Sequence, residues 1–331
     1  MRLCFMYNII ITMGIKGLNT FFKDVASAKS IQYYSFEQLR GKTIVVDTSI
    51  YIYKFLEHGL LLENMYIFIT QCLELNITPL FVFDGKPNHM KKDLLINRSK
   101  KKLNAHGKYS ETKEKYEAEF DNLTQTEKVD LWSKLSGYKK RSIRVHEQDI
   151  IDLKALMDAL GVYHCDAPNE ADVVCAYFVL TNIAWACVSD DMDMFAYCCP
   201  RVLRDWKINT KTTVLYDFES LKKDIKIPNT HIRDVFLLVG NDYMKHDHLS
   251  IETILKWYRD FELLSETSET FYGWLKDKSY ITEEKFVRLN EIIPLYDIPV
   301  WEKEFDVHVK DGVKIENLQT LLAPCGFVFI V

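Results

Sequence analysis

Three stretches of the chain run apolar and then stop on aspartate: Thr43-Ile44-Val45-Val46-Asp47, Leu80-Phe81-Val82-Phe83-Asp84, and Ala184-Trp185-Ala186-Cys187-Val188-Ser189-Asp190-Asp191. Short continuous apolar runs rich in Val, Ile and Phe are strands buried on both faces, as in a parallel sheet. The carboxyl ends of such strands open onto the binding crevice. Carboxylates gathered at one sheet edge repel: at ~5 Å and an effective dielectric of ~20, each pair costs about 3 kcal/mol. A divalent cation relieves that cost. The pattern predicts an α/β fold, a central mostly parallel sheet with helices on both faces, and a metal site at the sheet edge.

Length and charge bound the rest. At 331 residues the chain can bury a full core. A net charge of −5 argues against a globally basic binder, but the charge is unevenly spread. Lys86 to Lys108 holds eight Lys or Arg against one acid, Asp93, and Lys139 to His146 holds four and no acid. Acid is concentrated in Glu111 to Asp130 and Asp190 to Asp193. Metal-binding acid beside phosphate-binding base suits a polyanionic substrate. The eight cysteines form no C-x-x-C pair, which argues against zinc. Cys72, Cys165, Cys175 and Cys187 sit in apolar runs and read as buried thiols in a reduced compartment. No segment reaches the ~18 apolar residues that span a membrane.

Along the chain, the pattern predicts one apolar helical stretch from Ile50 to Leu75, a basic helix over about 88–102, and a polar, charged helical insertion over 103–138. An amphipathic helix covers Asp149 to Leu160, another opens at Pro168-Asn169-Glu170-Ala171-Asp172, and a third ends at Gly240. The expected divisions are an extension 1–12, a region 13–102, the insertion 103–138, a second region 139–245 forming one domain with 13–102, and a mostly helical 246–331.

Six motifs then occur in order: Met13-Gly-Ile-Lys-Gly-Leu, Asp47-x₃-Tyr51-x-Tyr53, Phe83-Asp84-Gly85-Lys86-Pro87, Pro168-Asn169-Glu170-Ala171-Asp172, Asp190-Asp191-Met192-Asp193 and Gly240-Asn241-Asp242-Tyr243. Together they resemble the flap endonuclease family of structure-specific 5′ nucleases, over roughly two-thirds of the chain and most closely in its poxvirus-type variant. The resemblance implies a PIN-like 5′-nuclease fold with 103–138 as a helical arch and seven metal ligands: Asp47, Asp84, Glu170, Asp172, Asp191, Asp193 and Asp242. Asp47 and Asp84 are implied to be catalytic as well, together with Lys91 and Arg98. Two Mg²⁺ ions are implied, with Mn²⁺ able to substitute. It implies that Gly14, Tyr53, Lys91, Arg98, Lys100 and Lys101 meet DNA. Lys91 and Arg98, seven apart, are expected on one helix face, and Tyr53 as a base-stacking ring. Glu170 and Asp172, two apart, would diverge on a regular helix and can share a site only at an irregular helix mouth. The implied partners are DNA with 5′ ends, flaps or branches, met by a monomer with no membrane role. The implied compartment is the cytoplasmic site of viral replication, or the nucleus for a cellular protein.

The chain departs from that pattern after Tyr243. No glycine occurs between 244 and 272, where the family places a glycine-rich duplex-gripping hairpin, so duplex binding is expected to be degenerate. Pro324 and Gly326 stand where a sliding-clamp motif needs a helical turn, so no clamp partner is expected. His246-Asp247-His248 reads as a polar loop. Residues 1–12 are apolar with no evident core to join, and translation is expected to begin at Met13, or the extension to pack loosely. A 5′-to-3′ exoribonuclease and a non-catalytic DNA-binding scaffold are the alternative readings. A haloacid-dehalogenase-type phosphatase needs Asp-x-Asp after its first strand, whereas Thr48-Ser49 follow Asp47.

Overall fold

The computed structural model describes residues 14–15, 17–86, 89–244, 249–264, 270–299, 301, 305–309 and 312–327. The expected extension 1–12 and the His246-Asp247-His248 cluster lie outside them. In chain order the elements begin α1 (Leu18–Val25), β1 (Ile31–Ser35), β2 (Thr43–Asp47), α2 (Thr48–His58), α3 (Leu61–Glu74), β3 (Thr78–Phe83) and α4 (Lys92–Glu119). They continue α5 (Gln125–Ser142), α6 (Glu147–Leu160), β4 (Tyr163–Asp166), α7 (Ala171–Leu180), β5 (Ala186–Val188), β6 (Arg201–Lys207) and β7 (Thr212–Asp217). The rest is helical: α8 (Phe218–Ile225), α9 (Asn229–Val239), α10 (Ile251–Leu264), α11 (Phe271–Asp277), α12 (Glu283–Ile292) and α13 (Ile315–Leu322).

The chain forms two compact units that interleave in sequence: Met1–Ser35 with Cys175–Trp301, and Phe36–Val174 with Glu302–Val331. The first carries strands in the order β1-β7-β6-β5, with β5 and β6 parallel and β7 antiparallel to both its neighbours. Its core is aromatic. Phe195 lies 4.9 Å from Phe22 and 5.3 Å from Phe218, and Phe22 lies 5.7 Å from Phe236. Rings from α1, α8, α9 and the turn after β5 thus share one cluster, and the turn is fixed to the helices by it.

The second unit carries β2-β3-β4, all parallel, with Asp47 opposite Val82 and Phe83 opposite Asp166. The α/β class and the mostly parallel pairing are as the apolar runs require. Ile44, Val45, Val46, Phe81 and Val82 are fully buried, and Tyr51 packs 5.3 Å from Phe68 beneath them. Every cysteine among the described residues is a free thiol, and Cys72, Cys165, Cys175 and Cys187 are buried. No described helix is long and apolar enough to cross a membrane.

Three local readings change. The stretch Ile50–Leu75 is two helices, because Gly59 turns left-handed at φ 71° and its N–H closes the end of α2 on Leu56 and Phe55 carbonyls. The basic helix and the first part of the insertion are one 28-residue helix, α4, which runs to Glu119 before α5 returns beside it with the remainder. The expected divisions at 102/103 and 138/139 therefore fall inside α4 and α5. Strands β1, β4 and β6 had no apolar run to announce them, since β1 has no buried position and β4 and β6 mix buried and exposed ones.

The outer edge of β4 is closed by the chain's own C-terminal segment. His164 N–H donates to the His308 carbonyl at 3.0 Å, and His308 N–H returns the bond at 2.8 Å. The His164 ring is buried, stacks 5.4 Å from His308, and meets Asp158 Oδ1 at 3.1 Å. Burial holds its pKa below the ordinary value despite Asp158, with His308 and Lys154 adding repulsion. The unfolded chain therefore takes up a proton near pH ~6.5 that the folded chain resists. Stability should fall as pH drops below ~6.5, by at most about 1.4 kcal/mol per pH unit from this residue. His164→Gln should flatten that acid slope in melting curves from pH 7.5 to 5.0; parallel slopes would remove His164 as the cause.

Candidate active site

In the second unit the carboxylates stand at strand ends, as the apolar runs predict. Asp47 closes β2 and takes the N-cap position of α2, yet its buried side chain makes no capping hydrogen bond. Helix capping therefore does not account for it. Asp84 follows β3, where Gly85 lets the loop close on residues 167–169. A Cβ on Gly85 would sit 2.0 Å from the Ala167 carbonyl oxygen, and the Gly85 N–H donates to Asn169 O at 2.6 Å. That closure brings Asp84 Oδ1 within 2.8 Å of the Ala171 N–H, the first of α7, while Oδ2 accepts from Ser49 Oγ at 2.5 Å. Asp84 thus sits at a helix N-terminus, where negative charge is favoured.

Glu170 lies just before α7 and Asp172 in its first turn. The pair therefore straddles the start of the helix, with Glu170 outside it and Asp172 inside. Asp172 Oδ1 accepts from Val173 N–H at 2.8 Å. The Glu170 carboxylate pairs with Lys91 Nζ at 2.8 Å through both oxygens, with the two side chains only 16% and 11% exposed.

In the first unit the acids follow β5. Asp190 is structural: its Oδ1 accepts from Asp205 N–H and its carbonyl from Arg204, both at 2.8 Å. Arg204 also reaches Asn19 Oδ1 at 2.7 Å, which anchors the loop to α1. Asp191 Oδ1 accepts from Asp193 N–H at 2.9 Å. Asp193 itself is buried, in a turn pinned by the fully buried Met194 and Phe195. Gly14 comes up against both carboxylates. A Cβ there would lie 2.1 Å from Asp191 Oδ1 and 2.5 Å from Asp193 Oδ1, and its φ of 74° favours glycine independently. The two oxygens are no farther apart than the sum of those distances. Asp242 follows Gly240, at φ 127°, and Asn241. Asn241 makes bonds within the turn, accepting from Tyr243 N–H at 2.9 Å and donating to Leu237 O at 3.2 Å.

The basic residues are not one set. Lys91 ends a short 3₁₀ turn at the N-cap of α4 and is buried on Glu170, whereas Arg98, Lys100 and Lys101 are exposed along α4. The shared helix face expected for Lys91 and Arg98 is lost because Lys91 precedes the helix. Tyr53 is 39% exposed on α2, as a stacking ring must be. Lys102 Nζ lies 4.5 Å from its ring centre and 3.0 Å from its hydroxyl. Lys102 and Ser49 were not singled out from sequence, although Lys102 is in the basic run and Ser49 follows Asp47 directly.

The donors suit a hard cation: they are all carboxylate oxygens, which favours Mg²⁺ or Mn²⁺ over zinc. Glycine at position 14 lets the Asp191 and Asp193 oxygens lie side by side, and a pair of carboxylate oxygens fits such an ion. Among the described residues no three His, Cys, Asp or Glu side chains form a ready ion cage. Mg²⁺ does not require one, because it keeps several waters and binds through one or two carboxylates.

These residues lie where known proteins match. The XPG N-terminal domain matches residues 13–105 and the XPG I-region matches 161–242. Flap endonuclease 1 of Methanosphaera stadtmanae is 30% identical over 300 residues, covering 85% of each chain. The chain belongs to the flap endonuclease family. Members of the flap endonuclease family are nucleases. Flap endonuclease 1 of Chlamydomonas reinhardtii is 28% identical over 250 residues, and the match spans 59% of that protein's length. The catalytic core of Rad2, solved with a DNA substrate, shares the fold at a TM-score of 0.64 and 19% identity, over 92% of this chain and 95% of that one. The two XPG matches leave out most of the α4–α5 hairpin, as well as α10 to α13.

The Lys91–Glu170 pair yields a direct expectation. Removing one partner of a mostly buried pair strands the other charge. Lys91→Met should cost about 2–3 kcal/mol, below the ~3–5 of full burial because both groups retain some solvent. Lys91→Arg should cost less. Denaturant unfolding in EDTA measures this, and a Lys91→Met protein as stable as its parent would show the pair to be idle.

Proposed function

We propose that this protein is a divalent-metal-dependent, structure-specific 5′ nuclease that hydrolyses phosphodiesters in branched or free-ended DNA. The observation that carries the reading is the meeting of Asp191 Oδ1 and Asp193 Oδ1 at Gly14. Two carboxylate oxygens held that close, one residue buried, repel by about 3 kcal/mol at an effective dielectric of ~20. A fold keeps such a pair where a cation is to bind.

Bound there, two divalent ions would supply an activated water and stabilise the leaving oxygen. The ligands that the family resemblance implies are Asp191, Asp193 and Asp242 in the first unit, and Asp47, Asp84, Glu170 and Asp172 in the second. Lys91, once freed from Glu170, and Arg98 would bind the phosphate. Arg98 brings a bidentate fork and Lys91 a compact charge. Lys100 and Lys101 would extend the basic track. Tyr53 would stack on a base without reading sequence, with Lys102 over its ring.

The biological setting is part of the proposal: replication, recombination or break repair, most simply of a viral genome, by a monomer that needs no sliding clamp. Supporting it is the stretch 244–272, which holds no glycine where a duplex-gripping hairpin needs it.

The test is cleavage of an end-labelled panel (single strand, nicked duplex, 5′ flap, gapped flap and RNA counterparts) in Mg²⁺ and in EDTA. DNA flaps or 5′ ends should be cut in Mg²⁺ alone. Preference for the RNA strands would move the assignment to an exoribonuclease. Asp191→Asn keeps the acceptor for Asp193 N–H while removing the charge, so it should fold normally and lose at least ~10²-fold in rate. Full activity in that variant would sink the site.

A further inference from the structure

Tyr296 lies outside both XPG matches, 103 residues beyond Asp193, and is completely buried. Its hydroxyl donates to Asp193 Oδ2 at 3.1 Å. It stands at the end of a short 3₁₀ turn, Ile293–Tyr296, that follows α12 and is stiffened by Pro294. Its ring is wedged between two others. Tyr197 packs at 4.9 Å and 35°, and Tyr243 meets it edge-on at 6.0 Å and 83°. Tyr197 belongs to the Asp193 turn, since its N–H donates to the Asp193 carbonyl at 3.2 Å. Tyr243 follows Asp242 directly, and Arg288 on α12 donates to its carbonyl at 3.3 Å.

We infer that Tyr296 is a positioning residue for the carboxylates, setting both the rotamer of Asp193 and the separation of the Asp193 and Asp242 turns. The inference rests on the metal-dependent nuclease reading above. By taking Oδ2, the hydroxyl leaves Oδ1 as the oxygen turned toward Gly14 and Asp191 Oδ1. The ring, packed against Tyr197 on one turn and Tyr243 on the other, spaces the two turns. Hydrogen bonds that orient a metal ligand are commonly worth 10–100-fold in metal affinity or activity. The helical C-terminal part thus acts on the catalytic set without touching substrate.

Tyr296→Phe removes the hydroxyl and keeps the ring. Mn²⁺ binding to the DNA-free full-length protein, followed by loss of the free-ion electron paramagnetic resonance signal, should weaken about 10-fold. The melting temperature in EDTA should stay near that of the parent. The Mg²⁺ concentration for half-maximal cleavage should rise, with the rate largely recovered at saturating Mg²⁺. In an Asp193→Asn background the same hydroxyl removal should change Mn²⁺ binding no further. Superimposable Mn²⁺ titrations for parent and Tyr296→Phe would overturn the proposal while leaving the nuclease reading intact. A further loss in the Asp193→Asn background would show that Tyr296 acts by another route, and would also overturn it. A parent that neither binds Mn²⁺ nor cuts DNA would remove both readings together.

Discussion

Repulsion between carboxylates is the constraint around which this molecule is organised. Left alone, Asp191 and Asp193 would swing apart into solvent. The chain prevents this by burying Met194 and Phe195 just beyond them, by tying Asp190 to β6, and by pressing Gly14 against their oxygens. In the other unit the same problem is met with compensation: Asp84 is placed at the start of a helix, and Glu170 against Lys91. One set is held by confinement and the other by opposite charge. Both keep negative charge in place at a cost that a bound cation would lower.

Which residues stand out as candidates was largely legible from the sequence. Asp47 occupies a capping position and does not cap; Asp242 occupies a turn that Asn241 builds. Strand-end aspartates stand out in sequence because the preceding apolar run is so regular. What was not legible depends on distance along the chain. Nothing near Asp193 announces Tyr296, and nothing in the basic run distinguishes Lys91, buried on a glutamate, from Arg98, exposed seven residues later. The difference arises where the helix begins, one residue after Lys91, and helix starts are poorly specified when no side-chain cap marks them.

The long hairpin of α4 and α5 shows the converse. Its residues are mostly exposed, many of them charged, and its two helices pack on each other. The acidic part of the sequence lies toward its far end, around Glu119 to Asp130, while the basic residues cluster near its base. A strand of nucleic acid would therefore be drawn to the base and repelled farther out. Charge alone sorts the hairpin into a basic near end and an acidic far end.

The interleaving of the two units bears on how the protein is made. Phe22 completes its core only with Phe236, and Asp193 acquires its tyrosine only when residue 296 has been synthesised. At roughly 5–20 residues per second on the ribosome, α1 must wait on the order of 10–40 seconds for its partner helix. Contacts so distant in sequence form slowly. During that interval the nascent chain holds its acids without the packing that gathers them. The packing around Asp193 is thus among the last features the polypeptide gains, and a prematurely terminated chain would lack it.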